Sequence, residues 1–109
     1  MTLDEETCYR LLKLVETKSD MSQRDFSRAM GVSLGKVNYC LNALLKQGWL
    51  KVRNFKNSKN KLAYAYLLTP KGIEQKACVT KRFLAKKYKE HKQIEDEIAA
   101  LKIEAAALK

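Results

Sequence analysis

The chain has 109 residues and a formal net charge of +10, from 22 Lys plus Arg against 12 Asp plus Glu. That length suits one domain, and that charge implies a polyanionic partner, either nucleic acid or an anionic surface. No interior stretch is apolar for 18 residues, so no membrane span is expected. The acidic start, Met1 to Glu6, lacks the basic-then-apolar pattern of a secretory leader.

The charge is unevenly placed. Residues 1–20 carry three bases and five acids, whereas residues 51–72 carry six bases and no acid. A solubilising coat would not peak in one segment. Cys8, Cys40 and Cys78 lie far apart, without CxxC spacing. Neither a disulfide framework nor a zinc site is expected, and the simplest compartment is a reducing cytoplasm.

The first helix is expected over about Leu3 to Lys18, with Thr2 and Glu5 as a capping box. Cys8, Leu11, Leu12 and Val15 form its apolar stripe. The second starts at Ser22, whose hydroxyl can cap the Asp25 N–H. Met21 and Phe26 are spaced as a hydrophobic staple. Phe26, Ala29 and Met30 supply the buried face, and Gly31 ends the helix in the left-handed conformation.

The third helix repeats this grammar, with Ser33 as cap and Val37, Leu41, Leu44 and Leu45 inward. Its other face offers Gly35, Lys36, Asn38, Tyr39, Asn42 and Lys46, and Gly48 stands where a terminator belongs. A basic hairpin follows, from Trp49 to Leu68. Leu50 and Val52 alternate with Lys51 and Arg53, and Leu62, Tyr64, Tyr66 and Leu68 form the returning apolar face. The turn between them is polar and free of acids.

Thr69-Pro70 opens a last helix, Thr69 as cap and Pro70 at the first helical position. Leu68 and Ile73 are spaced to staple its start. No later Gly or Pro interrupts the segment after Gly72, so it can run to about Leu108. A seven-residue repeat follows. Ala77, Leu84, His91, Ile98 and Ala105 take position a; Ile73, Thr80, Lys87, Ile94, Leu101 and Leu108 take position d. That repeat predicts a coiled coil, and hence a homodimer through the last helix.

Two short helices joined by Gly31-Val32-Ser33, then a charged wing, form a compact way to place one helix in a DNA groove. Asn pairs with adenine and Lys with guanine acceptors or phosphates, so Ser33, Lys36, Asn38, Tyr39 and Asn42 are the candidate reading residues. Arg53, Lys56, Asn57, Lys59 and Lys61 are the candidate wing contacts, suited to phosphates. Ile73, Ala77, Leu84, Ile94, Ile98, Leu101 and Leu108 are the candidate dimer contacts. The basic run from Lys81 to Lys92 reads as a solvated face. No pair of carboxylates or Ser-His arrangement converges with His91, the single histidine, and no Gly-rich phosphate loop occurs, so neither an enzyme nor a cofactor is expected.

Val32-Ser33-Leu34-Gly35-Lys36-Val37-Asn38-Tyr39, Leu44-Leu45-Lys46-Gln47-Gly48-Trp49-Leu50 and Leu68-Thr69-Pro70-Lys71-Gly72 together resemble the winged helix-turn-helix of MarR-type transcriptional regulators. The stretch from Gly31 to Gly72 is most similar to the subgroup associated with exopolysaccharide gene clusters. The resemblance implies a dimeric, sequence-specific regulator of transcription on double-stranded DNA. The family's wing carries Asp-x-Arg, with the Arg in the minor groove. Here that region is Asn57-Ser58-Lys59-Asn60-Lys61, which offers lysines instead.

The expectation is therefore a mainly α protein with a small β-hairpin. Residues 1–75 form a winged helix-turn-helix, and residues 76–109 form a dimerising helix. Two other readings use the same residues: a protein-interaction module, and an RNA binder that prefers single strands or hairpins.

Overall fold

The computed structural model describes residues 3–18, 20–56 and 62–108. Its elements run α1 (Glu5–Thr17), α2 (Gln23–Met30), α3 (Leu34–Lys46), β1 (Leu50–Lys56), β2 (Leu62–Leu68) and α4 (Pro70–Ala107).

Local chemistry sets most of these boundaries. At α1 the cap is Asp4, not Thr2: its carboxylate accepts the Thr7 N–H at 2.7 Å, and the helix starts at Glu5. The expected Thr2 cap lies outside the described residues. At α2 the capping box is present in full. Ser22 Oγ accepts the Asp25 N–H at 3.1 Å, and Asp25 accepts the Ser22 N–H at 3.0 Å. Gly31 ends α2 at φ 66°, and its N–H reaches the Ser27 carbonyl.

Ser33 caps α3 through the Lys36 N–H at 3.1 Å. The end of α3 is a Schellman motif. Gly48, at φ 76°, donates to the Leu45 carbonyl, and Trp49 donates to the Leu44 carbonyl at 3.0 Å. Thr69 caps α4 through the Gly72 N–H at 3.0 Å, with Pro70 in the first turn.

The core lies where α1, α2, α3 and the base of the hairpin meet. Leu11, Leu12, Phe26, Cys40, Leu41 and Leu44 are fully buried there. Phe26 meets the Tyr66 ring edge-on, with centroids 6.0 Å apart. Ala29 is exposed, because it lies at the edge of the Phe26–Met30 stripe of a helix only 8 residues long. The antiparallel register pairs Leu50 with Leu68 and Val52 with Tyr66. Among the described hairpin side chains Leu50, Ala65 and Tyr66 are buried, whereas Val52 is 41% exposed.

Helix α4 crosses the body and continues past it. Val79 is buried in the core, and Phe83 stacks on Tyr9 of α1 with centroids 5.1 Å apart. Two ion pairs flank this seam, Lys76 with Glu16 at 3.0 Å and Arg82 with Glu5 at 2.7 Å. Gly72 is buried against Trp49; a Cβ there would fall on the Trp49 carbonyl oxygen. Thr69 donates to that same oxygen at 3.0 Å. The start of α4 is locked in this way; Ile73, spaced to staple with Leu68, is 59% exposed and lines one depression with it. From Leu84 onward α4 is exposed apart from a half-buried Glu90, which gives the molecule its 69 Å length.

Candidate nucleic-acid interface

Helix α3 lies across the body with Val37, Cys40, Leu41 and Leu44 inward. Leu45, expected inward, is half-buried at the margin. Asn38, Tyr39, Asn42 and Lys46 are exposed, and with Ala43 they line one shallow depression along the helix. Ser33 is exposed at the N-terminal end of this face. Gly35 lies on it too, with open space where a side chain would be.

Lys36 lies elsewhere. It is about 200° around the helix from Asn38 at 100° per residue, so the two occupy opposite flanks. Its ammonium is 3.3 Å from the Asp4 carboxylate of α1. Asp4 is thus both helix cap and counter-ion. The Thr7 backbone N–H bond is the main influence holding its carboxyl below the ordinary 3.8, and Lys36 adds to it.

Asn38 turns to the other neighbour, α2. Its amide donates to Gln23 Oε1 at 3.2 Å. Gln23 in turn donates to the Tyr66 hydroxyl at 3.3 Å, across 43 residues. Asn42 donates to Asn38 Oδ1 at 3.1 Å. One polar chain therefore runs from the buried ring of Tyr66 to the open face of α3. Each amide donates toward the core, and among the described residues nothing donates to the Asn42 carbonyl oxygen or takes up its second N–H. That acceptor–donor pair matches the N6 and N7 edge of adenine.

Nothing in the sequence singles out Gln23 as a link to this face. Its position at the start of α2 marks it as solvent-facing, and nothing local tells that it meets β2. Arg53 is exposed on β1, opposite Ala65. Lys56 pairs with Leu62 at the end of the ladder. Asn57, Lys59 and Lys61 lie outside the described residues.

Among the described residues no group of His, Cys, Asp and Glu could hold a metal ion, and no helix is long and apolar enough to cross a membrane. Cys8 and Cys40 are buried, and burial pushes the Cys8 thiol up to about 11 and raises that of Cys40. Cys78 is exposed on α4.

A capped helix pair joined by a tight turn, followed by a two-stranded wing, defines a winged helix-turn-helix. A family model described as winged helix-turn-helix DNA-binding matches residues 5–51. Solved structures share the fold. The chain matches smu.1704 from Streptococcus mutans UA159 with a TM-score of 0.75 and 19% identity, over 84% of this chain and 88% of that one. It matches a MarR/EmrR family transcriptional regulator from Acinetobacter sp. ADP1 with a TM-score of 0.57 and 20% identity, over 94% and 76% of the two chains. It also matches S. aureus MepR in a DNA complex, with a TM-score of 0.63 and 18% identity, over 98% and 80%. The fold is thus the one seen in MarR-family structures. No curated protein sequence matches the chain.

Proposed function

We propose that the chain is a cytoplasmic, sequence-specific regulator of transcription of the MarR type, binding double-stranded DNA as a homodimer. The observation that carries this reading is the exposed polar face of α3, where Asn38, Tyr39, Asn42 and Lys46 stand clear of the core. In a winged helix-turn-helix this is the face that enters a major groove. The DNA complex of MepR, a protein of the same fold, supports it.

Asn38 and Asn42 read base edges, and Ser33 and Tyr39 contact the adjoining backbone. Lys36 approaches from the α1 side. Arg53, Lys56, Asn57, Lys59 and Lys61 hold phosphates beside the wing. Residues 1–75 serve as the reading unit and residues 76–109 as the dimerising helix, through Ile73, Ala77, Leu84, Ile94, Ile98, Leu101 and Leu108. The likeness to the exopolysaccharide-associated subgroup makes that gene class the expected target.

Selection of duplexes from a random pool tests the reading. The expected product is a two-fold site with half-sites about one helical turn apart, roughly 34 Å. Absence of any preferred duplex at physiological salt would favour a protein-interaction module, and preference for single strands or hairpins would favour an RNA binder.

A further inference from the structure

We propose that α4 pairs with α4 of a second copy in the antiparallel sense, in a register that sets Leu84 against Ile94 of the partner subunit. The proposal rests on the homodimer reading and fixes its geometry.

The apolar stripe is real surface. Ile73, Leu84, Ile94, Ile98 and Leu101 are between 47% and 60% exposed. At the 3.5 residues per turn of a heptad they lie roughly a fifth to a third of a turn away from the line of Val79 and Phe83, which contacts α1. The packing of α4 on its own body therefore leaves the stripe uncovered. Within α4 beyond the body, Lys87–Glu90, His91–Glu95 and Lys92–Asp96 pair along the helix. Such exposed pairs contribute only about 0.2–0.5 kcal/mol each. They do not substitute for a partner along a projecting helix of this length.

Charge decides the sense of pairing. Residues 76–92 carry seven bases and one acid, and residues 93–108 carry one base and four acids. Flanking positions of a coiled coil set orientation through such charges. A parallel pair would set Lys87 against its own copy in the seam, Lys76 beside Lys81 and Glu90 beside Glu95, against one attractive flank, Glu97 beside Lys102. An antiparallel pair centred near Lys89 sets Lys81 beside Glu95 and Lys76 beside Glu104. Its seam layers are Ile73 with Ala105, Ala77 with Leu101, Thr80 with Ile98, and Leu84 with Ile94. At the centre Lys87 meets His91 and the two Glu90 carboxylates face each other, each already paired with the Lys87 of its own helix at 3.1 Å.

Two further features agree. The end of the second helix reaches Ile73, beside a depression lined by Val15, Leu67, Leu68 and Ile73 with Lys51 and Glu16 at its rim. The register also sets the two Val79 positions about 30 Å apart along the axis at 1.5 Å per residue. That is close to the roughly 34 Å between successive major-groove faces. A parallel pair would hold both bodies at one end, side by side.

The test uses the full chain with Cys78→Ala, so that the exposed native thiol is absent. Chains carrying Ala77→Cys are mixed with chains carrying Leu101→Cys and oxidised. The expected product is the mixed disulfide between the two kinds of chain. A disulfide between two Ala77→Cys chains would overturn the antiparallel arrangement while leaving the dimer intact. A monomer by sedimentation would remove the dimer reading and this proposal with it. As a second arm, Lys81→Glu should weaken dimerisation about three- to tenfold, through two lost ion pairs. Adding Glu95→Lys should restore it. Tighter association of Lys81→Glu alone would indicate the parallel pair, in which Lys81 faces Lys76.

Discussion

Asn38 donates its side-chain amide to Gln23 Oε1 at 3.2 Å, which ties the exposed polar face of α3 to the first residue of α2. Gln23 is itself held by the Tyr66 hydroxyl, and Tyr66 is held by Phe26 in the core. The carboxamides of Asn38 and Asn42 are thereby restrained before any DNA arrives. Restraint of this kind lowers the entropy that binding would otherwise cost.

Gln23→Ala should therefore lose about 1 kcal/mol of discrimination at the base pairs met by Asn38 and Asn42. Affinity for random duplex should hardly change. Tyr66→Phe keeps the ring against Phe26 and removes only the hydroxyl, so it should give a smaller loss of the same kind. Competition binding with single-base variants of the selected site measures both. Equal weakening on every sequence would show that Gln23 only supports the fold.

Much of the scaffold could be read from the sequence because its signals are local. Ser22, Gly31, Ser33, Gly48 and Thr69-Pro70 each act within a few residues, and each is found in its expected role. The site was legible only by halves. Asn38 and Asn42 follow from helix periodicity, but their hydrogen-bonded tether to Gln23 and Tyr66 depends on packing between distant elements. Helix α4 carries two overlapping stripes. The heptad pattern is plain in the sequence, whereas Val79 and Phe83, which dock on the body, lie outside it. Nearness in sequence groups Lys36 with Asn38, although residues two apart on a helix face nearly opposite ways.

The Lys36–Asp4 pair gives a test of charge. Asp4→Asn keeps a good capping residue and removes the counter-ion. The freed Lys36 is expected to tighten duplex binding and to steepen the salt dependence by about one unit. Asp4→Asn with Lys36→Ala should cancel the gain. The exposed pair itself contributes less than about 1 kcal/mol to folding. Titration by filter binding across salt concentrations settles the matter, and an unchanged slope would mean that Lys36 stays away from phosphate.

The pH dependence follows from the same carboxylate. Asp4 has its folded pKa depressed below 3.8, first by the Thr7 N–H. Asp25 is depressed likewise, by the Ser22 N–H. A depressed carboxyl stabilises the fold above its unfolded pKa and ceases to do so as pH falls through the folded value. Stability should be flat from neutral pH down to about 5 and fall below about 4. Asp4→Ala, which lacks the cap at every pH, should be less stable by about 1 kcal/mol at neutral pH. Its acid decline should be shallower. Thermal melts at stepped pH values check both slopes.

Thiol accessibility should separate the cysteines. Cys78 is exposed, whereas Cys8 and Cys40 are buried. Burial also raises both buried thiols, Cys8 to about 11. Since the thiolate is the reactive species, a chromogenic thiol reagent at neutral pH should modify one cysteine rapidly in the native protein. All three should react in denaturant. Fast modification of a second thiol without denaturant would mean that α1 or α3 opens easily.

Gly35 has no reason to be glycine within the protein. A Cβ there meets nothing within 4 Å, and its backbone is helical, without a positive φ. Glycine in a helix costs up to about 1 kcal/mol relative to alanine, so Gly35→Ala should raise the melting temperature. The position is on the outer face of α3, one turn before Tyr39, where the helix backbone would come closest to DNA. The same substitution should therefore weaken duplex binding, on preferred and random sequences alike, by keeping the helix from the groove. Gly72→Ala is the control of opposite character: its Cβ collides with the Trp49 carbonyl inside the fold, and it should destabilise by about 2 kcal/mol. A Gly35→Ala protein that is more stable and binds DNA undiminished would place the point of closest approach elsewhere on α3.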